Sequence, residues 1–419
     1  VIFINLIFIF FVINSNNQNI FFKIFLFYIF IFYIFNIFSF NFFEYPSYFL
    51  ENDNSIFKVN NSLQILMLHL ITLYLFLKIF FRKNIDVYNK DKIQFSSVFS
   101  LVLVSGIAHA MNLIVIYLIS KEILTSSIFH IFAVIFSPDK ILSVLISLLF
   151  ISWSSIGKNL KFFIILIVSS CLLYDFLSSS KSSIFQLGLV LIICYFCFYE
   201  KITLNFKLIS ILTFLFFTGS IAFYFANHQF VVIKLDSFDK IIDHITHLFH
   251  RIGYLDFFLE KVNGYRYDEL FSLSYNLRAF IDKITPGFDP YGIPLMKNQL
   301  HFLQRYYEGI NYTGTVSEQS TIFAISHRIF GVFYFVYYFI ILLVFKFIYE
   351  KNYFKDYEKN FIVRIFLILL FISWLNGFGI DQFLMLSIYY FIFIISLFVC
   401  SKLITPIFKK YDLSSSRIK

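Results

Sequence analysis

The chain has 419 residues, of which 59% are hydrophobic and only 14% charged, and it carries a formal net charge of +9. A mean hydropathy of +0.79 excludes an ordinary soluble domain. A positive balance carried mostly by Lys on short loops points to membrane topology rather than to nucleic acid.

The predicted fold is all-α and polytopic, with about ten or eleven transmembrane helices, since each crossing needs roughly 20 apolar residues. Residues 1–14 offer one span, which a clipped N-terminus would leave incomplete. Nothing there has the basic n-region and small-residue cleavage site of a signal peptide. Further spans are expected over 20–43, 63–81, 96–119, 141–156, 161–177, 183–199 and 207–226, which make an N-terminal bundle over 1–226. A large, partly helical outer loop occupies 227–320. Spans over 321–345, 361–376 and 380–400 follow, and with a basic tail they make the C-terminal part, 321–419.

The orientation comes from five basic groups: Arg82 to Lys92, Lys158 with Lys161, Lys201 with Lys207, Lys346 to Lys359, and the tail from Lys402. Alternation puts all five on one face, the cytoplasmic one. The segment 123–136 is short and interrupted by Thr125, Ser126, Ser127 and His130, so it reads as interfacial or re-entrant on the outer side. Cys171, Cys194, Cys197 and Cys400 all sit in apolar runs. The CxxC of Cys194 and Cys197 has no polar neighbour and reads as packing, not as a zinc or redox motif.

The outer loop concentrates the unusual chemistry. Five of the chain's eight arginines, Arg251, Arg266, Arg278, Arg305 and Arg328, lie in it or just beyond it. Arg is a planar fork suited to phosphate oxygens, although the loop's own acidic residues also allow ordinary surface ion pairs. A helical stripe begins at Phe238, and a second runs through Leu270, Leu273, Leu277, Phe280, Ile281 and Ile284. The Pro-Gly-rich stretch 286–294 then breaks the pattern. Amphipathic helices of this kind would lie along the outer membrane surface. His244, His247 and His250 recur at i, i+3 and i+6, but no HExxH motif or tight carboxylate pair accompanies them, so they read as a solvated or headgroup-facing surface rather than as metal ligands. Asp243, His247 and Arg251 do share a face.

Four further features carry candidate chemistry. Glu318 precedes the next span, and His327 and Arg328 sit a couple of turns into it. Charge inside an apolar helix signals function by default, against which stands simple snorkelling of Arg328 to the interface. Asp381 at the start of the last span either orients an Arg or caps its helix. Ser180, Lys181 and Ser182 form a hydroxyl-rich turn at the mouth of two spans, which either donates to phosphate oxygens or is only a tight turn.

Together these features resemble the Wzy-type polymerases of O-antigen and capsular polysaccharide. That family has many spans, a serine-plus-basic turn and a large Arg-rich periplasmic loop late in the chain. Ser180-Lys181-Ser182-Ser183 stands where its S-R-x turn would, with Lys in place of Arg. The O-antigen ligases share the layout. The resemblance implies a metal-independent glycosyltransferase, without cofactor, in the bacterial inner membrane with its active site facing the periplasm. Its partners would be undecaprenyl-pyrophosphate-linked oligosaccharide repeat units, the lipid bilayer and a chain-length regulator. His327, Arg328, Arg278, Arg266, Arg251 and Glu318 would then be catalytic. Lys181, Ser180, Ser182, His250 and Asp381 would bind substrate. The competing expectations are a polyprenyl-phosphate-sugar glycosyltransferase, for which Glu44, Glu51 and Asp53 are the acidic candidates, and a lipid-linked oligosaccharide flippase.

Overall fold

The computed structural model describes residues 19–28, 55–81, 93–177, 182–198, 272–284, 290–293, 322–376 and 379–415. Among these, the regular structure is helical and contains no strand. The helices are α1 (Ile20–Tyr28), α2 (Ser55–Phe80), α3 (Phe95–Ser120), α4 (Ser127–Ile135), α5 (Pro138–Ser152) and α6 (Lys158–Leu177). They continue as α7 (Ser182–Phe198), α8 (Leu273–Ile284), α9 (Ile322–Phe330), α10 (Tyr334–Glu350), α11 (Tyr357–Leu375) and α12 (Ile380–Ser415). Among the described residues, four stretches are long and apolar enough to cross a membrane: Phe95–Ser120, Ile128–Ser152, Ile325–Glu350 and Ile380–Pro406. The predicted spans at 207–226 and 1–14 and the first stripe of the outer loop lie outside the described residues.

The described helices form two compact units. One holds α1, α2, α8, α9, most of α10, the end of α11 and the start of α12; the other holds α3–α7 and the remaining parts of α10, α11 and α12. In the first unit the core is aromatic, as a chain with 64 Phe would have it. Phe21 stacks on Phe81 at 4.5 Å between centroids and meets Phe371 edge-on at 5.1 Å. Trp374 is fully buried and donates through Nε1 to the Tyr337 hydroxyl at 2.9 Å. The Tyr28 hydroxyl donates to the Leu375 carbonyl, also at 2.9 Å, which satisfies an orphan acceptor at the end of α11.

In the second unit, α5 is the central element, packed on α3, α6 and α7. Gly106 lets α3 approach α6 closely, because a Cβ there would meet Ile167 Cδ1 at 3.0 Å. Between α4 and α5 the helix is interrupted, and the cause is local. Ser137 and Pro138 start a new helix, and Pro138 has no N–H to give to the Val134 carbonyl. That carbonyl instead accepts from Lys140 Nζ, which also donates to Ser137 Oγ at 2.7 Å. Asn112 of α3 donates to the Phe136 carbonyl at 2.8 Å. In tandem α4 and α5 make a single 25-residue stretch of crossing length, where the sequence alone set 123–136 apart as an interfacial or re-entrant segment and began the span at 141.

Helix α12 runs past its expected end at residue 400. Pro406 removes one backbone bond but does not end the helix, and Thr405 Oγ1 donates to the Ser401 carbonyl at 2.7 Å just before it. The basic loop between α10 and α11 is ordered by side chains. Asn360 accepts from Phe354 N at 3.0 Å and donates to the Phe354 carbonyl at 2.6 Å, and Lys359 pairs with Asp356 at 2.6 Å.

Candidate functional site

The predicted span 321–345 is divided into α9, a short 3-10 turn (Gly331–Phe333) and α10. Gly331 adopts φ +55°, which a side chain would resist. The bend between α9 and α10 lets Ser326 and Tyr338, twelve residues apart, meet at 2.8 Å between hydroxyl oxygens.

His327 lies beside Ser326 and is part-buried. Its Nδ1 is 3.4 Å from Nε2 of His69, a fully buried residue in the middle of α2. His69 Nδ1 is in turn 2.7 Å from the Tyr338 hydroxyl. Tyr334 stacks on the His69 ring with centroids 3.7 Å apart, and its hydroxyl is 3.2 Å from Thr72 Oγ1. Phe323 meets the same imidazole edge-on at 6.0 Å. Two imidazoles are thus held within a cage of aromatic rings and hydroxyls inside apolar helices. Two nitrogens about 3.4 Å apart would also suit one tetrahedral ion with bonds of about 2.0–2.1 Å. Among the described residues, however, no third His, Cys, Asp or Glu joins them.

The described part of the outer loop is α8 and the turn 290–293. Ser272 starts the helix, its hydroxyl accepting from Tyr275 N at 3.0 Å. Asn276, Ala279 and Asp282 are buried, while Leu273 (44%), Leu277 (41%) and Ile281 (39%) expose an apolar stripe. Asp282 accepts from Tyr291 N at 3.0 Å and from Ile293 N at 2.7 Å, which ties the turn to the helix. The exposed Arg278 lies over the Tyr291 ring at 5.7 Å, a cation–π contact.

Asp381 is fully buried in the first turn of α12, where its Oδ1 accepts from Gln382 N at 2.8 Å. A carboxylate there suits the positive end of the helix. It also acts on α8. Burial pushes the Tyr275 phenol up to about 12, and the Asp381 charge adds to that shift.

No protein-family model, curated protein or solved structure matches the chain.

Of the residues singled out by sequence, the structure brings His327 against His69, places Asp381 near Tyr275, and sets Arg278 on Tyr291. Arg328 is part-buried in the last turn of α9. Ser182 begins α7. Ser180, Lys181, His250, Arg251, Arg266 and Glu318 lie outside the described residues. The sequence reading missed His69, although the rule that singled out His327 applies to it equally: it is an imidazole within an otherwise apolar span. Tyr334 and Tyr338, at i and i+4 on α10, were a second overlooked signal.

Proposed function

We propose that the chain is a polytopic glycosyltransferase of the bacterial inner membrane that polymerises lipid-linked repeat units at the periplasmic face. It would move a growing glycan from undecaprenyl pyrophosphate onto a sugar hydroxyl of the next lipid-linked unit, without a metal. The observation that carries this reading is the hydrogen-bonded imidazole pair, His327 on His69, with Arg328 next along the helix. Polar groups at such a depth are costly unless they act on something.

Each group then has a defined task. His327 takes the proton of the acceptor hydroxyl. The hydroxyl oxygen bonds to the anomeric carbon, and the bond from that carbon to pyrophosphate breaks with its electron pair going to the leaving oxygen. Arg328, and Arg278 from α8, stabilise the charge that grows there. The exposed stripe of α8 dips into the outer leaflet and holds Arg278 at headgroup level. Eleven of the twelve described α-helices, all but α4, overlap the predicted spans or the outer loop, which favours a polytopic membrane protein.

A transporter of lipid-linked oligosaccharide would share the broken helix α4–α5. In this chain Lys140 and Asn112 close that break on themselves, which favours the enzyme. The deciding experiment replaces His327 or Arg328 by Ala in cells and displays the surface glycan by size. The expected product carries a single repeat unit, because flipping and ligation continue while elongation stops. Lipid-linked polymer with no surface glycan would make the chain a ligase, units held on the inner leaflet a flippase, and a normal ladder would remove both residues from the chemistry.

A further inference from the structure

We propose that Ser326, Tyr338, His69 and His327 form a hydrogen-bond chain with a single direction, which keeps the proton of His327 on Nδ1 and leaves Nε2 as the proton acceptor. His69 is then a positioning residue. Its catalytic meaning rests on the polymerase reading, but the direction of the chain does not.

The direction follows from counting protons. Ser326 has one, and it goes to the Phe323 carbonyl at 3.2 Å within α9. At its 2.8 Å contact, Ser326 therefore accepts from the Tyr338 hydroxyl. With that proton used, the Tyr338 oxygen accepts from His69 Nδ1–H at 2.7 Å. A neutral His69 then has its lone pair on Nε2, which can only accept, and the group facing it at 3.4 Å is Nδ1–H of His327. The remaining nitrogen of a neutral His327 is Nε2, which has no hydrogen-bond partner among the described residues. Reversing the chain would require Ser326 to abandon the Phe323 carbonyl.

The side arm has the same polarity. Thr72 donates to the Leu68 carbonyl at 2.8 Å, so it accepts from Tyr334, whose ring covers His69. Both arms end on helix carbonyls, which have no proton to return.

A neutral partner suits an anionic substrate. In hydrolytic triads an Asp sets the tautomer of the catalytic His, but a buried carboxylate would repel a pyrophosphate leaving group. His69 sets the tautomer without adding negative charge. When His327 Nε2 takes the acceptor proton, the ring becomes an imidazolium and its Nδ1–H becomes a stronger donor to His69, a charge-assisted bond. No second proton has to move.

The test uses the full chain, labelled with 15N-histidine, in phosphatidylethanolamine–phosphatidylglycerol bilayers, with His327→Gln and His69→Gln spectra to assign the resonances. The expected spectrum shows His327 with a protonated, pyrrole-type Nδ1 and a bare, pyridine-type Nε2, and His69 with the same tautomer. Tyr338→Phe removes the acceptor for His69 and should turn both residues into tautomer mixtures. His69→Asn, whose carbonyl can still accept from Nδ1–H, should preserve the His327 tautomer and most elongation, whereas His69→Leu should lose roughly 10²–10⁴-fold in elongation rate. A wild-type His327 protonated on Nε2 overturns the inference, as does added Zn²⁺ that shifts both facing nitrogens together. The expected tautomer combined with normal polymer in His327→Ala cells keeps the chain of bonds and removes the polymerase reading. An Nε2–H tautomer with elongation lost does the reverse.

Discussion

At the break between α4 and α5, Lys140 and Asn112 bury their polar ends against the carbonyls of Val134 and Phe136. Around α9, His69 and His327 bury theirs against each other, with Tyr338 and Ser326 completing the set. Both regions place polar side chains in apolar helices, and burial alone does not separate them. Their partners do. In the first region the partner is a backbone acceptor orphaned by Pro138, so the side chain repairs a helix. In the second the partners are mostly other side chains, several of which can give or take a proton. Buried polarity becomes a functional signal only after the backbone has been accounted for.

The largest effect that would sharpen this contrast is at His327. Replacing it by Ala should slow elongation by roughly 10²–10⁴-fold, more than is lost with the folded fraction when the buried His69 Nε2 is left unsatisfied at a cost of about 1–3 kcal/mol. Elongation that falls only in step with the folded fraction would put His327 in the same structural class as Lys140. Arg278→Lys should keep the charge and lose the fork, lowering elongation by roughly ten- to a hundredfold, the equivalent of a charge-assisted bond of about 1.5–3 kcal/mol. Full activity would return Arg278 to a purely aromatic contact with Tyr291.

Lys140→Met should show the opposite behaviour. Leaving the Val134 carbonyl unsatisfied should cost about 1–3 kcal/mol of stability, read as a lower unfolding midpoint, while the folded fraction still elongates glycan. Loss of elongation in fully folded Lys140→Met protein would erase the distinction between the regions. Gly331→Ala meets no atom within 4 Å, so its cost is only the strain of φ +55°, about 1 kcal/mol. The interesting readout is whether the His327–His69 contact, and elongation with it, survives that strain.

The smallest effect concerns α8. The folded-state pKa of Tyr275 is raised to about 12, above an unfolded value of about 10. The neutral phenol therefore contributes stability that is present below about pH 10 and lost as pH rises towards 12. A spin label on α8 should gain mobility across that window, and Tyr275→Phe should abolish the transition. A transition that persists in Tyr275→Phe would assign it to another group.

Much of the architecture was legible beforehand because it rests on local chemistry. Apolar runs of the right length became α2, α3, α6, α7, α10, α11 and α12, and the amphipathic stripe through Leu273, Leu277 and Ile281 became α8. The joining of α4 and α5 into one crossing-length stretch was not legible, because the break at Pro138 is local, a missing N–H acting within one turn. The end of α12 was not, because Lys402 resembles a boundary only when tolerance of Pro406 within a long helix is ignored. Asp381 was expected either to orient an Arg or to cap its helix; its Oδ1 accepts from Gln382 N in the first turn of α12, and its charge adds to the upward push of burial on the Tyr275 phenol.

Length, periodicity and the clustering of Arg and His are properties of the chain, and they determined the helical class, the positions of the helices and the residues worth suspecting. Tertiary structure decided which of those residues meet. His69 and His327 are separated by 258 positions, and no pattern of local spacing can encode a contact across that distance. It depends on α2 packing beside the bend at Gly331, and on an aromatic cage assembled from both sides of that bend.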